Sequence, residues 1–136
     1  LLEHDAGRHD TGNAQIGWAF PQAKGRWLLN VGDDDVYEPG AFETMARAIE
    51  EQDGPPHPLM FKVELHPNAV RMDSAPVVLW SERRIKRFVV TGQSFVCPND
   101  PERFGDWETD WRFMQGTVAN YGGLVDWRDE LTVRCY

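Results

Sequence analysis

Gly25-Arg26-Trp27-Leu28-Leu29-Asn30-Val31-Gly32-Asp33-Asp34-Asp35-Val36-Tyr37-Glu38-Pro39-Gly40-Ala41 is the stretch whose reading decides the fold. Its opening part, Arg26 to Val31, is a short and nearly continuous apolar run, the pattern of a strand covered on both faces. The run enters three adjacent carboxylates, Asp33, Asp34 and Asp35, with no Lys or Arg between them. Ligands of open α/β sheets bind at the carboxyl ends of strands, so the triplet stands where a site is expected. A divalent cation with oxygen ligands relieves such repulsion, and Mg²⁺ or Mn²⁺ favours carboxylate, water and phosphate oxygens. The plainer alternative is an Asp-rich turn next to the helix that begins near Gly40, whose dipole favours negative charge.

Outward from that stretch, Gly40 to Gln52 reads as a helix. Phe42, Met45, Ala46 and Ile49 fall at i, i+3, i+4 and i+7 and form one apolar stripe. Asp53-Gly54-Pro55-Pro56 stops it. Upstream, Gly12-Asn13-Ala14-Gln15 reads as a loop into a helix over roughly 16–24, limited by Pro21 and stopped by Gly25. Downstream, strands are predicted at 58–65, 76–80 and 87–90, with a short apolar run at Ser94-Phe95-Val96-Cys97. A second helix is expected over 107–120 with the stripe Trp107, Trp111, Met114 and Val118, then a final strand over 131–136. Early alternation of strand and helix with a strand-rich middle predicts an α/β or α+β fold. No internal repeat or linker divides the chain, and 1–136 is read as a single domain.

Fourteen Lys and Arg against 22 Asp and Glu give a net charge of −8, so nucleic acid and anionic membrane are poor partners. No apolar run approaches the ~20 residues of a membrane span. Cys97 and Cys135 are too few for a disulfide framework and lack zinc-ligand spacing, which predicts a reducing, cytoplasmic setting. The chain opens Leu1-Leu2-Glu3-His4-Asp5, without an initiator Met or the basic start of a signal peptide, and is read as a fragment or processed product.

The central stretch resembles family 2, GT-A fold glycosyltransferases, which carry a Gly, a hydrophobic strand, an Asp-x-Asp or Asp-Asp-Asp motif, an aromatic, Pro-Gly-Ala and a helix. A second block is similar to the acceptor side of small members: Thr91-Gly92-Gln93-Ser94-Phe95-Val96-Cys97-Pro98-Asn99, then Gly105-Asp106-Trp107-Glu108-Thr109-Asp110-Trp111. The resemblance implies a partial GT-A, Rossmann-like mixed sheet flanked by helices. It implies Mn²⁺ or Mg²⁺ on Asp33 and Asp35, holding the diphosphate of a nucleotide-sugar such as a UDP-sugar, with Asp34 contacting ribose or the metal shell. It implies Asp110, and next Glu108, as the base that deprotonates an unidentified acceptor, with Gln93 and Trp107 on the substrate. At about 100° per residue, Asp110 lies about 60° from the Trp107/Trp111/Met114 stripe, where it can border a cleft. The two acidic blocks stand about 75 residues apart.

Such enzymes begin with a strand-helix-strand-helix unit that recognises the base, and this chain starts after it. A shortened sheet exposes a strand edge, which predicts a homo-oligomer. The rival expectation is a non-catalytic GT-A-like remnant that binds a cation or a protein. A plain interaction module needs both acidic blocks to be accidental. Other residues read more simply: the tryptophans as core, His57 and His66 as solvent-side, the basic run 82–87 as a solvated face, and His4-Asp5 and His9-Asp10 as polar lead-in. Ser94 has no nucleophile-elbow context.

Overall fold

Strand pairing fixes what the ends of this molecule can do. The computed structural model describes residues 13–66, 77–79, 83, 85 and 92–136. Its strands are β1 (Trp27–Leu29), β2 (Asp35–Tyr37), β3 (Leu59–Leu65), β4 (Val77–Leu79), β5 (Phe95–Pro98) and β6 (Asp126–Cys135). They form one mixed sheet in the order β1-β5-β3-β6-β2, with β4 beside the far half of β3. Helices α1 (Asn13–Ala19), α2 (Ala41–Glu50) and α3 (Asp110–Asn120) complete an α/β architecture.

The central strand β3 pairs parallel with β6, whereas the β1–β5, β5–β3 and β6–β2 pairs are antiparallel. It follows that β1, β3 and β6 run one way and β5 and β2 the other. The carboxyl ends of the first three and the amino ends of the last two therefore point to one side, as a stepped rim. Asn30 and Gly92–Ser94 stand on one step, level with Met60 near the start of β3, and Asp35, His66 and Tyr136 stand on the other, level with Leu65 at its end.

β1 and β2 lie at opposite ends of the strand order, joined only by residues 30–34. Four strand spacings come to about 19 Å, and six Cα steps reach only about 20 Å when extended. A flat sheet would stretch this connection to its limit, and the sheet curls instead. The Tyr37 hydroxyl at the far edge donates to Gln93 O at 2.9 Å and lies 3.3 Å from Asn30 O.

Each sheet face has its own core. On one, α2 sets Met45 and Ala48 against Leu59, Phe61 and Val96, with Trp27, Leu29 and Tyr37 at the margin. On the other, α3 sets Phe113 and Met114 against Leu28, Met60, Phe95 and Cys97, with Phe20 and Trp107 packed alongside. Each fully buried Leu, Phe or Met contributes roughly 1.5–3 kcal/mol, so these layers anchor both sides of the rim.

Several sequence expectations shift. The first strand is shorter than Arg26 to Val31, and Val31 is 55% exposed. Asp35 is the first residue of β2, opposite Cys135, so only Asp33 and Asp34 lie in the loop. The α2 stripe is Ala41, Met45, Ala48 and Ile49; Ala46 is exposed, and Phe42, also exposed, stacks on Tyr37. The start of α2 is set by Gly40, whose φ of +77° suits glycine. The first helix begins at Asn13 and gives way to a 3-10 turn, Phe20–Gln22, around Pro21. Trp107 precedes α3 rather than lying in it, because Thr109 caps that helix by accepting from Arg112 N. The last strand starts at Asp126, with a register irregularity against Met60–Val63 that accommodates its charged residues. The predicted strand at 87–90, most of the basic run 82–87 and the early His-Asp pairs lie outside the described residues.

Candidate functional site

Asp35 is half-buried at the head of β2, and burial raises its carboxyl above the ordinary Asp value of 3.8. The Cys135 thiol and the Gly32 backbone hydrogen-bond to the carboxylate and pull the other way, while Asp34 and then Asp33 push it up again. Its Oδ2 is shut off from solvent without a well-formed hydrogen bond. A side chain at position 32 would collide with that oxygen and displace the Asp35 carboxylate. Asp33 and Asp34 are exposed. No Lys, Arg or His among the described residues forms an ion pair with any of the three. Val31 and Val36, each 55% exposed, flank them.

An orphaned, partly desolvated carboxylate oxygen beside two free carboxylates fits one hard divalent cation. Among the described residues no group of three or more His, Cys, Asp or Glu is gathered to hold a metal ion. A cation held here would have one or two carboxylates from the chain and would need water and ligand oxygens for its remaining positions, as Mg²⁺ sites commonly do.

From the start of α3, Asp110 reaches the step of the rim that holds Asn30 and Gly92. Its Oδ2 accepts from Gly92 N–H at 3.4 Å. A Cβ added to Gly92 would stand 3.5 Å from both Asp110 Oδ2 and Asn30 Nδ2, so those two atoms are at most 7.0 Å apart. Asn30, Gly92, Asp110 and Trp107 line one shallow depression, with no enclosed room for even a water molecule, and Phe20, Phe95 and Phe113 lie behind it. Asn30 immediately follows β1, and its carbonyl faces the Tyr37 hydroxyl two residues after Asp35. The two acidic blocks are thus linked through Asn30, Gly92 and Tyr37.

The other expected residues take different places. Glu108 is exposed and ion-paired to Arg112, one helical turn on, so Asp110 alone of that pair faces the sheet. Gln93 is joined to the rim through its backbone carbonyl, which holds the Tyr37 hydroxyl. Burial raises that hydroxyl far above the ordinary tyrosine value, with the Asp35 charge adding to the shift. Trp107 stacks on Phe113 with centroids 3.8 Å apart and meets Phe20 edge-on at 4.9 Å. Most of its ring is core, while its buried Nε1 has no hydrogen-bond partner.

Sequence reasoning missed Asn30 and Tyr37. An Asn ending an apolar strand was a signal for the first; nothing local marked the second. His66 is not solvent-side: half-buried, it bonds Glu64 Oε1 at 2.9 Å and stacks on Tyr136 at 4.2 Å. Cys97 and Cys135 form no disulfide and lie in separate cores, and burial pushes Cys97 up to about 12. No helix among the described residues is long and apolar enough to cross a membrane. No protein-family model and no curated protein matches this chain.

Proposed function

We propose that this chain is a GT-A-like domain of the family 2 type that transfers a sugar from a nucleotide-sugar, such as a UDP-sugar, with Mn²⁺ or Mg²⁺. The observation that supports the reading is the link between two acidic blocks, distant in sequence, through Tyr37, Asn30 and Gly92. Asp33 and Asp35 would hold the cation, with Asp34 beside them. When bound, the metal would supply Lewis-acid neutralisation of a diphosphate leaving group.

The remaining roles belong to the chain. Asp110 holds its carboxylate at the depression beside Asn30, where it can take a proton from an acceptor hydroxyl. General-base assistance of that kind is worth typically ~10²–10⁴-fold. The Gly92 N–H steadies the carboxylate, and Gln93 fixes the rim through Tyr37. Trp107 closes the floor of the depression with its ring. Glu108, tied to Arg112, is the weaker candidate for the base.

A homo-oligomer belongs to the same proposal. β1 ends the strand order and has no second strand partner among the described residues, and open edges favour pairing. Light scattering over a range of concentrations tests it: a monomer throughout refutes it. A cytoplasmic setting is likewise proposed, on two cysteines that are not joined in a disulfide.

The non-catalytic remnant is the second reading. Among the described residues no group of three or more metal-ligating side chains is gathered, and that favours it. Incubation with nucleotide-sugars and Mn²⁺, followed by release of free nucleoside diphosphate, separates the two. The transferase reading predicts slow donor hydrolysis that Asp110→Asn abolishes. Metal binding without release of diphosphate from any donor supports the remnant.

A further inference from the structure

Away from the acidic rim, the segment Phe104-Gly105-Asp106 crosses α3 at very close range. A Cβ on Gly116 would stand 2.8 Å from Gly105 Cα, and one on Gly105 would stand 2.9 Å from Thr117 N. Two bare backbones therefore meet and leave a smooth floor. Beside that floor opens a cavity of about 320 Å³, walled by Phe104, Asp106, Arg112, Gln115 and Asn120. That volume lies at the small end of the range typical of small-molecule sites.

The polar groups of this cavity are oriented in advance. Gln115 Nε2 donates to Ile85 O at 2.6 Å, and Asn120 Nδ2 donates to Arg103 O at 3.2 Å. Each carboxamide spends its nitrogen on the backbone, which turns its acceptor oxygen free. Asp106 adds an exposed carboxylate with no ion pair among the described residues. Arg112 is paired with Glu108 and lies 5.6 Å from the Trp111 ring centroid, which fixes the guanidinium with donors to spare.

The donor and acceptor balance selects the guest. Carboxamide and carboxylate oxygens only accept, so the ligand must donate repeatedly. An anion would meet Asp106, while Arg112 is already paired with Glu108 and still offers N–H donors. The set therefore calls for a guest that both donates and accepts, as a hydroxyl does. A ligand with many hydroxyls and no net charge satisfies every group, and its C–H face can lie on the glycine floor.

We propose that this groove binds a neutral polyhydroxylated ligand, a sugar ring held by Asp106, Arg112, Gln115 and Asn120. The inference does not rest on the glycosyl-transfer reading, since it concerns a separate surface and needs no turnover.

The test uses the full chain and amide-resolved NMR, with methyl glycosides of gluco, galacto, manno and N-acetylglucosamine configuration as probes, maltotriose as a longer chain, and spermine and inorganic phosphate as charged comparators. The expected result is saccharide-induced shifts at Gly105, Gly116 and the Gln115 and Asn120 side-chain amides. Methyl glycosides sufficing marks a terminal ring as the ligand; a gain from maltotriose marks an extended glycan. Gln115→Leu and Asp106→Asn should each weaken binding about five- to tenfold, the worth of one hydrogen bond. Either variant suffices if the other fails to fold. Asp35→Ala should leave these shifts unchanged even if it removes metal binding. Shifts at these residues with spermine or phosphate and with no saccharide overturn the proposal, as do unaltered affinities in both variants or no response to any probe.

Discussion

Two acidic regions of this molecule lie a few ångströms apart in the fold and are treated in opposite ways. Glu38 and Glu64 share the guanidinium of Arg134, at 2.7 and 3.5 Å, and Glu64 also holds His66. Asp33, Asp34 and Asp35, at the start of β2, have no cationic partner among the described residues. The network around Arg134 ties β2, β3 and β6 together across the sheet. The triplet takes part in no ion pair there, and Asp35 is held in a position that raises its pKa. Carboxylates that hold strands in place are given arginine. Those left uncompensated are free to take a cation from solution.

The comparison is broken most severely at Asp110. Asp110→Asn is expected to lower donor turnover by about 10²–10⁴-fold while leaving Mn²⁺ affinity and the melting temperature unchanged. Nucleoside diphosphate release and a thermal melt check both halves. Equal loss of metal binding would show that the two acidic blocks are one site rather than two functions on one rim.

Arg134→Leu attacks the paired region. It strands Glu38 and Glu64 in partly buried surroundings and should cost about 1 kcal/mol, measured by urea denaturation, with Mn²⁺ affinity preserved. A loss of metal affinity as large as the loss of stability would join the regions that the comparison separates.

Asp35→Asn sharpens the contrast in the opposite sense. Because the folded pKa of Asp35 is raised, its favourable contribution is full below the unfolded value and is lost as pH rises through the folded one. Without metal, the native chain should lose a little stability as pH rises above about 4, and Asp35→Asn should remove that loss. At neutral pH the variant should melt roughly 1–3 °C higher. Excess Mn²⁺ should reverse the order by stabilising only the native sequence.

The smallest effects are expected at Asp33→Asn and Asp34→Asn. Both residues are exposed and unpaired, so stability should move by no more than about 0.5 kcal/mol in urea melts. Asp33→Asn should still weaken Mn²⁺ binding.

Much of this arrangement was legible along the chain because it is local. The apolar run before the triplet, the Pro39-Gly40 start of α2 and the two acidic blocks are properties of neighbouring residues. What escaped is what pairing decides. Nothing near Asp35 says that β2 joins β6 at the opposite end of the strand order, since that depends on Cys135, 100 positions later. The α2 stripe turned because the curled sheet meets Ala41 and Ala48, and small residues permit close approach where Phe42 would not fit. Glu108 and Asp110 are equally acidic in sequence; only the Thr109 cap and the reach of Arg112 send one outward and leave the other against Gly92. Trp107 was read as part of a helical stripe, yet the same cap places it before the helix and stacks it on Phe113.

The central claim is that the uncompensated triplet grips a divalent cation. Its most direct test is a calorimetric Mn²⁺ titration of the native chain and of Asp35→Ala, each with and without UDP. The account predicts one Mn²⁺ per chain, tighter binding when the nucleotide is present, and loss of both in the variant. Equal Mn²⁺ affinity in Asp35→Ala would contradict it.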